Sequence, residues 1–235
     1  MTKRAGSIAA LLNRCEEELR GLEAKYTEAL KQQSIPPNLK IDIKNLVANL
    51  RSALDYTAAD IRETCCPTAD PEGRFYFPIL PSESEFAGQA RAWFPGLEAV
   101  RPDVWDYLRS VQPHHAKFKW LSHLNAVNNE HKHIDLVEHT RVDSPRVTVT
   151  LSGGGGVSWN PGAVKFGSGV FIGGVPVNPA TQLPVPDPSQ RVGRVIWVDF
   201  RFSDPNISVL GLLKEALAGT ERITREIKTL LEKPA

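Results

Sequence analysis

Cysteine is scarce in this sequence of 235 residues: there are three, with Cys15 alone and Cys65 and Cys66 side by side. Such an arrangement makes no paired disulfide framework and lacks the spacing of a zinc site, so reduced thiols are expected. An excess of charge of one sign is also missing, because 28 lysines and arginines stand against 27 aspartates and glutamates, for a formal net charge of +1. No whole-molecule field draws the chain to nucleic acid or anionic lipid, and any such binding has to be local. Long apolar runs are lacking as well. The opening MTKRAGSIAALLNRCEEEL has only a few apolar residues before an acidic run, which suits neither a secretory signal nor a membrane span. A cytoplasmic protein with no membrane partner is expected.

What is present is an ordinary globular composition, 41% hydrophobic and 23% charged, enough for a core and far from the disordered range. The length allows one large domain or two small ones, and a single domain over 1–235 is the preferred reading. From Ile8 the apolar positions run Ile8, Leu12, Cys15, Leu19, Leu22, Tyr26 and Ala29, alternating steps of four and three that put one stripe on a long helix. Pro36-Pro37 breaks it. A second helix is expected from Leu39 to Cys65 with Ile43, Leu46, Leu50, Leu54 and Ile61 inward, forming an antiparallel hairpin with the first. Pro67 ends it, and a proline-rich crossing segment containing Arg74-Phe75-Tyr76-Phe77-Pro78-Ile79-Leu80 follows, its aromatics packing on the hairpin.

Shorter helices are expected near Glu83–Trp93 and Pro102–Val111, and a third long one from His115 to Thr140. After Ser144-Pro145 the grammar changes. Arg146–Leu151, Gly169–Ile172 and Val192–Phe202 read as strands, and Gly153–Gly156 as a flexible turn. The five prolines between Pro176 and Pro188 predict a long surface loop without regular hydrogen bonding. Asp204 then caps a last helix running to about Glu232. The fold class is therefore α+β: a bundle of three to four long helices with a small antiparallel β-sheet inserted before the C-terminal helix. The helical part covers 6–140 and 205–232, and the β-rich insertion 145–203.

Two stretches could carry chemistry. On the second helix Arg51 and Asp55 are four apart and share a face. On the third, all six histidines fall between His114 and His139. There His131 and Asp135 are one turn apart with Glu138 near the same face, a spacing able to hold a divalent metal, although the HExxH pattern is absent. Without metal, His133 could act as general acid or base while Lys132 or Arg51 steadies developing negative charge, as phosphodiester cleavage needs. From Arg109 to Lys132 the only acidic residue is Glu130, so the stretch is mildly basic and weakly suited to RNA. The glycine-rich pieces Gly153–Gly156 and Gly167–Gly174 have no P-loop lysine and hydroxyl and read as hairpin turns.

The run Asn49-Leu50-Arg51-Ser52-Ala53-Leu54-Asp55, then Phe77-Pro78-Ile79, Gln112-Pro113, and Asn129-Glu130-His131-Lys132-His133 resembles a family of uncharacterised bacterial proteins with NLRSALDH, FPI, QP and N-x-DKHR patterns in that order. The likeness spans roughly residues 40 to 140. Two paired long helices bearing an arginine also resemble the HEPN helical domains, some of which are metal-independent ribonucleases with an Arg-x4-6-His motif at a dimer seam. Arg51, Asp55, Lys132 and His133 match the family pattern. Tyr56 stands where it has histidine, His131 where it has aspartate and Ile134 where it has arginine.

Three readings follow. The first is a non-catalytic binding or regulatory module, a homodimer through its long helices, in which Arg51, Asp55, Tyr56, Lys132 and His133 form a polar cluster that fixes helix register. It needs no cofactor. The second is a metal-independent, HEPN-like ribonuclease with Arg51 and Lys132 on phosphate and His133 as acid or base. The third is a metal-dependent hydrolase using His131, Asp135 and Glu138.

Overall fold

The computed structural model describes residues 3–32, 36–133, 139–202 and 207–234, and of 30–32, 130–133, 139–146 and 193–202 it describes the backbone alone. The fold is α+β, in two compact units: Met1–His139 with Arg201–Ala235, and Thr140–Phe200. Among the described residues no helix is long and apolar enough to cross a membrane.

The first unit is built on α1 (Ala5–Gln32) and α2 (Pro37–Cys65). Pro37 sits in the first turn of α2, where its missing N–H would have had no helical partner anyway. The two helices run antiparallel. Arg4 pairs with Asp60 and Glu63 near one end, Asn49 reaches Glu18 in the middle, and Lys25 meets Asp42 at the other end. Their facing stripes bury Cys15, Leu19, Leu22 and Tyr26 against Ile43, Leu46, Leu50, Leu54 and Ile61. Leu12 of the expected stripe is only half-buried.

The last helix, α7 (Val209–Glu232), closes this core on α2 and α1 with Leu212, Leu213, Ala216, Ile223 and Ile227 buried. Its cap is Ser208, whose hydroxyl accepts the Gly211 N–H. Asp204, expected in that role, lies outside the described residues. Between the hairpin and α7 come α3 (Glu83–Trp93), α4 (Leu97–Val100), α5 (Pro102–Ser110), a 3-10 turn over Ala116–Phe118, and α6 (Lys119–His133). α6 packs on α2 and α7. It is shorter than the helix expected over His115–Thr140, and His139 and Thr140 belong to a strand instead. Pairing of that strand with a later one outweighs a helical period that is weak at its ends.

The second unit contains two three-stranded sheets where one was expected. In one, β1 (His139–Leu151) lies between β2 (Gly156–Trp159) and β6 (Gln190–Phe202). The β1–β2 register opposes Val147 to Trp159 and Thr150 to Gly156. Its turn needs two residues in the left-handed region, which Gly154 and Gly155 supply at φ 91° and 82°. The other sheet is β3 (Phe171–Ile172), β4 (Val175–Asn178) and β5 (Leu183–Pro184). The loop expected over residues 176–188 is thus partly a ladder. Prolines fit because only acceptors are asked of them: the Pro176 carbonyl receives the Val185 N–H. Val147, Val149, Trp159, Ile172 and Val177 form the core of this unit.

Candidate functional site

The first unit holds its proline-rich crossing segment by side-chain clamps on the backbone. Arg51 and Asp55, one turn apart on α2, both engage Phe77. The Asp55 carboxylate accepts the Phe77 N–H at 2.8 Å, and Arg51 Nη2 donates to the Phe77 carbonyl at 3.1 Å and to Asp55 Oδ1 at 3.0 Å. An isolated extended peptide leaves its N–H and C=O groups without partners, and here an ion pair replaces the missing neighbour strand. Gln112, just after α5 and wholly buried, continues the grip. Its Nε2 donates to the carbonyls of Pro78 at 3.1 Å and Leu108 at 2.7 Å, and its Oε1 accepts the Leu80 N–H at 3.0 Å.

Arg62 completes the set one helical stretch further along α2. It donates to the carbonyls of Trp93 and Asp70 and lies 4.6 Å from the centre of the Phe75 ring. Phe77 is fully buried, whereas Tyr76 is 47% exposed. The expectation that this segment packs its aromatics inward therefore holds for Phe77 and not for Tyr76.

The clamped segment forms one wall of a cleft of about 360 Å³, at the lower end of the range for small-molecule sites. Arg51 and Asp55 lie on one side, and Asn125, Asn128 and Asn129 of α6 on another. Tyr76 and Trp93 supply two rings, edge to face, 6.0 Å apart. Asn128 is buried, and among the described residues none of the three carboxamides makes a side-chain hydrogen bond. The Arg51 side chain is 11% exposed, and its Nη1 is buried with no hydrogen bond to a described residue. Burial draws the Arg51 guanidinium below its ordinary pKa, and the charge of Asp55 opposes that shift. A buried charged donor without an acceptor costs about 1–3 kcal/mol or more, and among the described residues Arg51 Nη1 is such a donor.

The expected site residues divide three ways. Arg51 and Asp55 are brought together and line the cleft. Tyr56 is 41% exposed and does not line it, because one residue along a helix turns the side chain by about 100°. The side chains of His131, Lys132 and His133 lie outside the described residues, as do Asp135 and Glu138 altogether. Among the described residues no three His, Cys, Asp or Glu side chains gather as a metal site would require. Elsewhere, the His114 and His115 rings meet at a tilt with centres 4.3 Å apart, and His114 faces Glu83. His123 on α6 is drawn below the ordinary imidazole pKa by burial and then by Lys119. Neither lines the cleft.

The asparagines and the two rings were not singled out from sequence as functional. A signal for the asparagines exists: positions 125, 128 and 129 repeat at three and four residues, which is one helix face. Comparison with family models, with curated proteins and with solved structures finds no match to this chain.

Proposed function

We propose that the protein is a non-catalytic binding module and that it takes a small, polar, anionic molecule in the cleft beside Arg51. The observation that carries this reading is the contrast within the cleft. One face of Arg51 and the Asp55 carboxylate are committed to Phe77, while Arg51 Nη1 and the carboxamides of Asn125, Asn128 and Asn129 have no described partner. Such a wall is held in place before ligand arrives, which reduces the ordering cost of binding. Asp55 is the single carboxylate among the described lining residues. A group that holds a peptide N–H and a guanidinium is poorly placed to shuttle protons, and this favours binding over chemistry.

Thermal unfolding of the whole chain against phosphates, dicarboxylates, amino acids and nucleotides tests the reading. A ligand that binds only the native state raises Tm by an amount that grows with the logarithm of its concentration over Kd. The rise is expected for at least one anionic class and is lost in Asn128→Ala, measured against that variant's own ligand-free Tm. Failure of every class to raise Tm refutes the module. Cleavage of single-stranded RNA that survives EDTA and disappears in His133→Ala refutes its non-catalytic character and restores the ribonuclease reading.

A further inference from the structure

The chemistry lining the cleft narrows the ligand further, and the step rests on the binding reading above. Three features act together. Tyr76 and Trp93 present aromatic surface, and Tyr76 is exposed beside the buried Phe77. Flat heteroaromatic ligands gain most from such walls, because every nucleobase has a face that stacks. The second feature is three carboxamides on one face of α6, Asn125, Asn128 and Asn129, each offering a donor and an acceptor side by side. That pattern pairs with an adjacent acceptor and donor on the ligand, as the adenine edge presents them. Third, Arg51 is the one cation among the described lining residues, and its charge partner Asp55 is already spent. A single guanidinium suits one phosphate group.

Alternatives fit less well. A cationic ligand would meet Arg51 without a free carboxylate to balance it. A plain saccharide would leave the guanidinium donor without an acceptor. A dinucleotide exceeds a cavity of about 360 Å³ at the lower end of the small-molecule range. We infer that the cleft binds a purine nucleoside monophosphate of the adenine type, with the base against Tyr76 and Trp93, its edge on the asparagines, and the phosphate at Arg51.

Isothermal titration of the full chain with AMP, adenosine, ribose 5-phosphate and GMP decides the matter. AMP is expected to bind saturably. Removing either its base or its phosphate should weaken binding about tenfold or more, since one stacked base or one charge-assisted contact is of that size. Asn128→Ala and Asn125→Ala, each shown by cooperative unfolding to be folded, should weaken AMP about tenfold, and Trp93→Phe should keep most of the affinity that Trp93→Ala loses. Ribose 5-phosphate binding as tightly as AMP would overturn the nucleobase inference and leave an anion-binding module standing. GMP binding as tightly as AMP would overturn the adenine assignment. AMP binding that is indifferent to both asparagine variants would overturn the site. If none of these ligands binds while another anion raises Tm in an Asn128-dependent manner, the nucleotide class falls alone. If no anion does so, both readings fall.

Discussion

Replacing Gln112 with methionine keeps the length and volume of the side chain and removes only its polar end, so the change isolates the clamp on the crossing segment. Gln112 is 0% exposed, and its amide satisfies three backbone groups: the carbonyls of Pro78 and Leu108 and the N–H of Leu80. The Leu108 carbonyl has no ordinary helical partner, because the Gln112 N–H turns to the Arg109 carbonyl at 3.4 Å. Each buried polar group left without a partner costs about 1–3 kcal/mol. Pro78 is buried and Leu80 is half-buried, so water relieves part of the loss at the N–H and little at the proline carbonyl. A total of roughly 3–5 kcal/mol follows, which for a chain of this size lowers Tm by about 6–20 °C. Gln112→Glu should do no better, because a carboxylate keeps the acceptor for Leu80 and turns two donated bonds into repulsions. Chemical denaturation with both variants beside the parent gives the numbers. A loss below about 1 kcal/mol for Gln112→Met would refute the claim that this amide holds the crossing segment.

Three further outcomes follow from the same geometry. Arg62→Met should destabilise by about 2–4 kcal/mol by freeing two carbonyls, and Arg62→Lys should recover little because one ammonium cannot reproduce the fork or the stacking on Phe75; equilibrium unfolding reads both. Gly219→Ala in α7 has two opposing terms: alanine favours a helix by about 1 kcal/mol, but the added Cβ would lie 2.3 Å from Trp120 Cζ2. The clash wins, so a net loss of about 1–3 kcal/mol is expected, and a rise in Tm would show that Trp120 can step aside. Burial pushes the Cys15 thiol up to about 12 and Cys66 to about 11. Intact-mass labelling with iodoacetamide at neutral pH should find both protected in the native protein and all three cysteines modified once it is unfolded. The same shifts fix a sign. Thiol groups with a raised folded-state pKa contribute stability that is full below their unfolded value and falls as pH rises from about 9 toward 11 and 12.

The long helices were legible because their information is local. Stripes at three- and four-residue spacing placed Cys15, Leu19, Leu22 and Tyr26 on α1 and Ile43 to Ile61 on α2, and these are the buried residues. The end of α6 was not legible, since a period can be carried on paper through residues that a distant strand claims. The β4–β5 ladder was missed for a related reason: proline removes a donor, yet these short strands ask Pro176 only for its carbonyl. The cleft stood between these cases. Arg51 and Asp55 announced themselves as a helix pair, but their partner Phe77 is more than twenty residues away, and no local pattern says that a carboxylate will hold a peptide N–H. Histidines stand out in a sequence because their pKa can be perturbed, whereas asparagines have none and look like a solvated face although Asn128 is buried.

The Arg51, Asp55 and Gln112 clamps bear on how the site must be tested. They hold the wall that carries Tyr76 and Phe77, so altering any of them changes stability and cleft shape together, and lost binding in such a variant identifies no ligand contact. The asparagines of α6 are different, because their carboxamides have no described structural partner and Asn129 is exposed. The polar pattern Arg-x3-Asp, Phe-Pro-Ile and Gln-Pro thus acts as one mechanical unit: two α2 side chains and one buried amide after α5 replace the strand that the crossing segment lacks. The clamp occupies only Arg51 Nη2 and leaves Nη1 without a described partner. Phe77 could be held by Asp55 and a neutral donor at a lower desolvation cost than a buried guanidinium incurs, and the charge of Arg51 is what the proposed anion site would use.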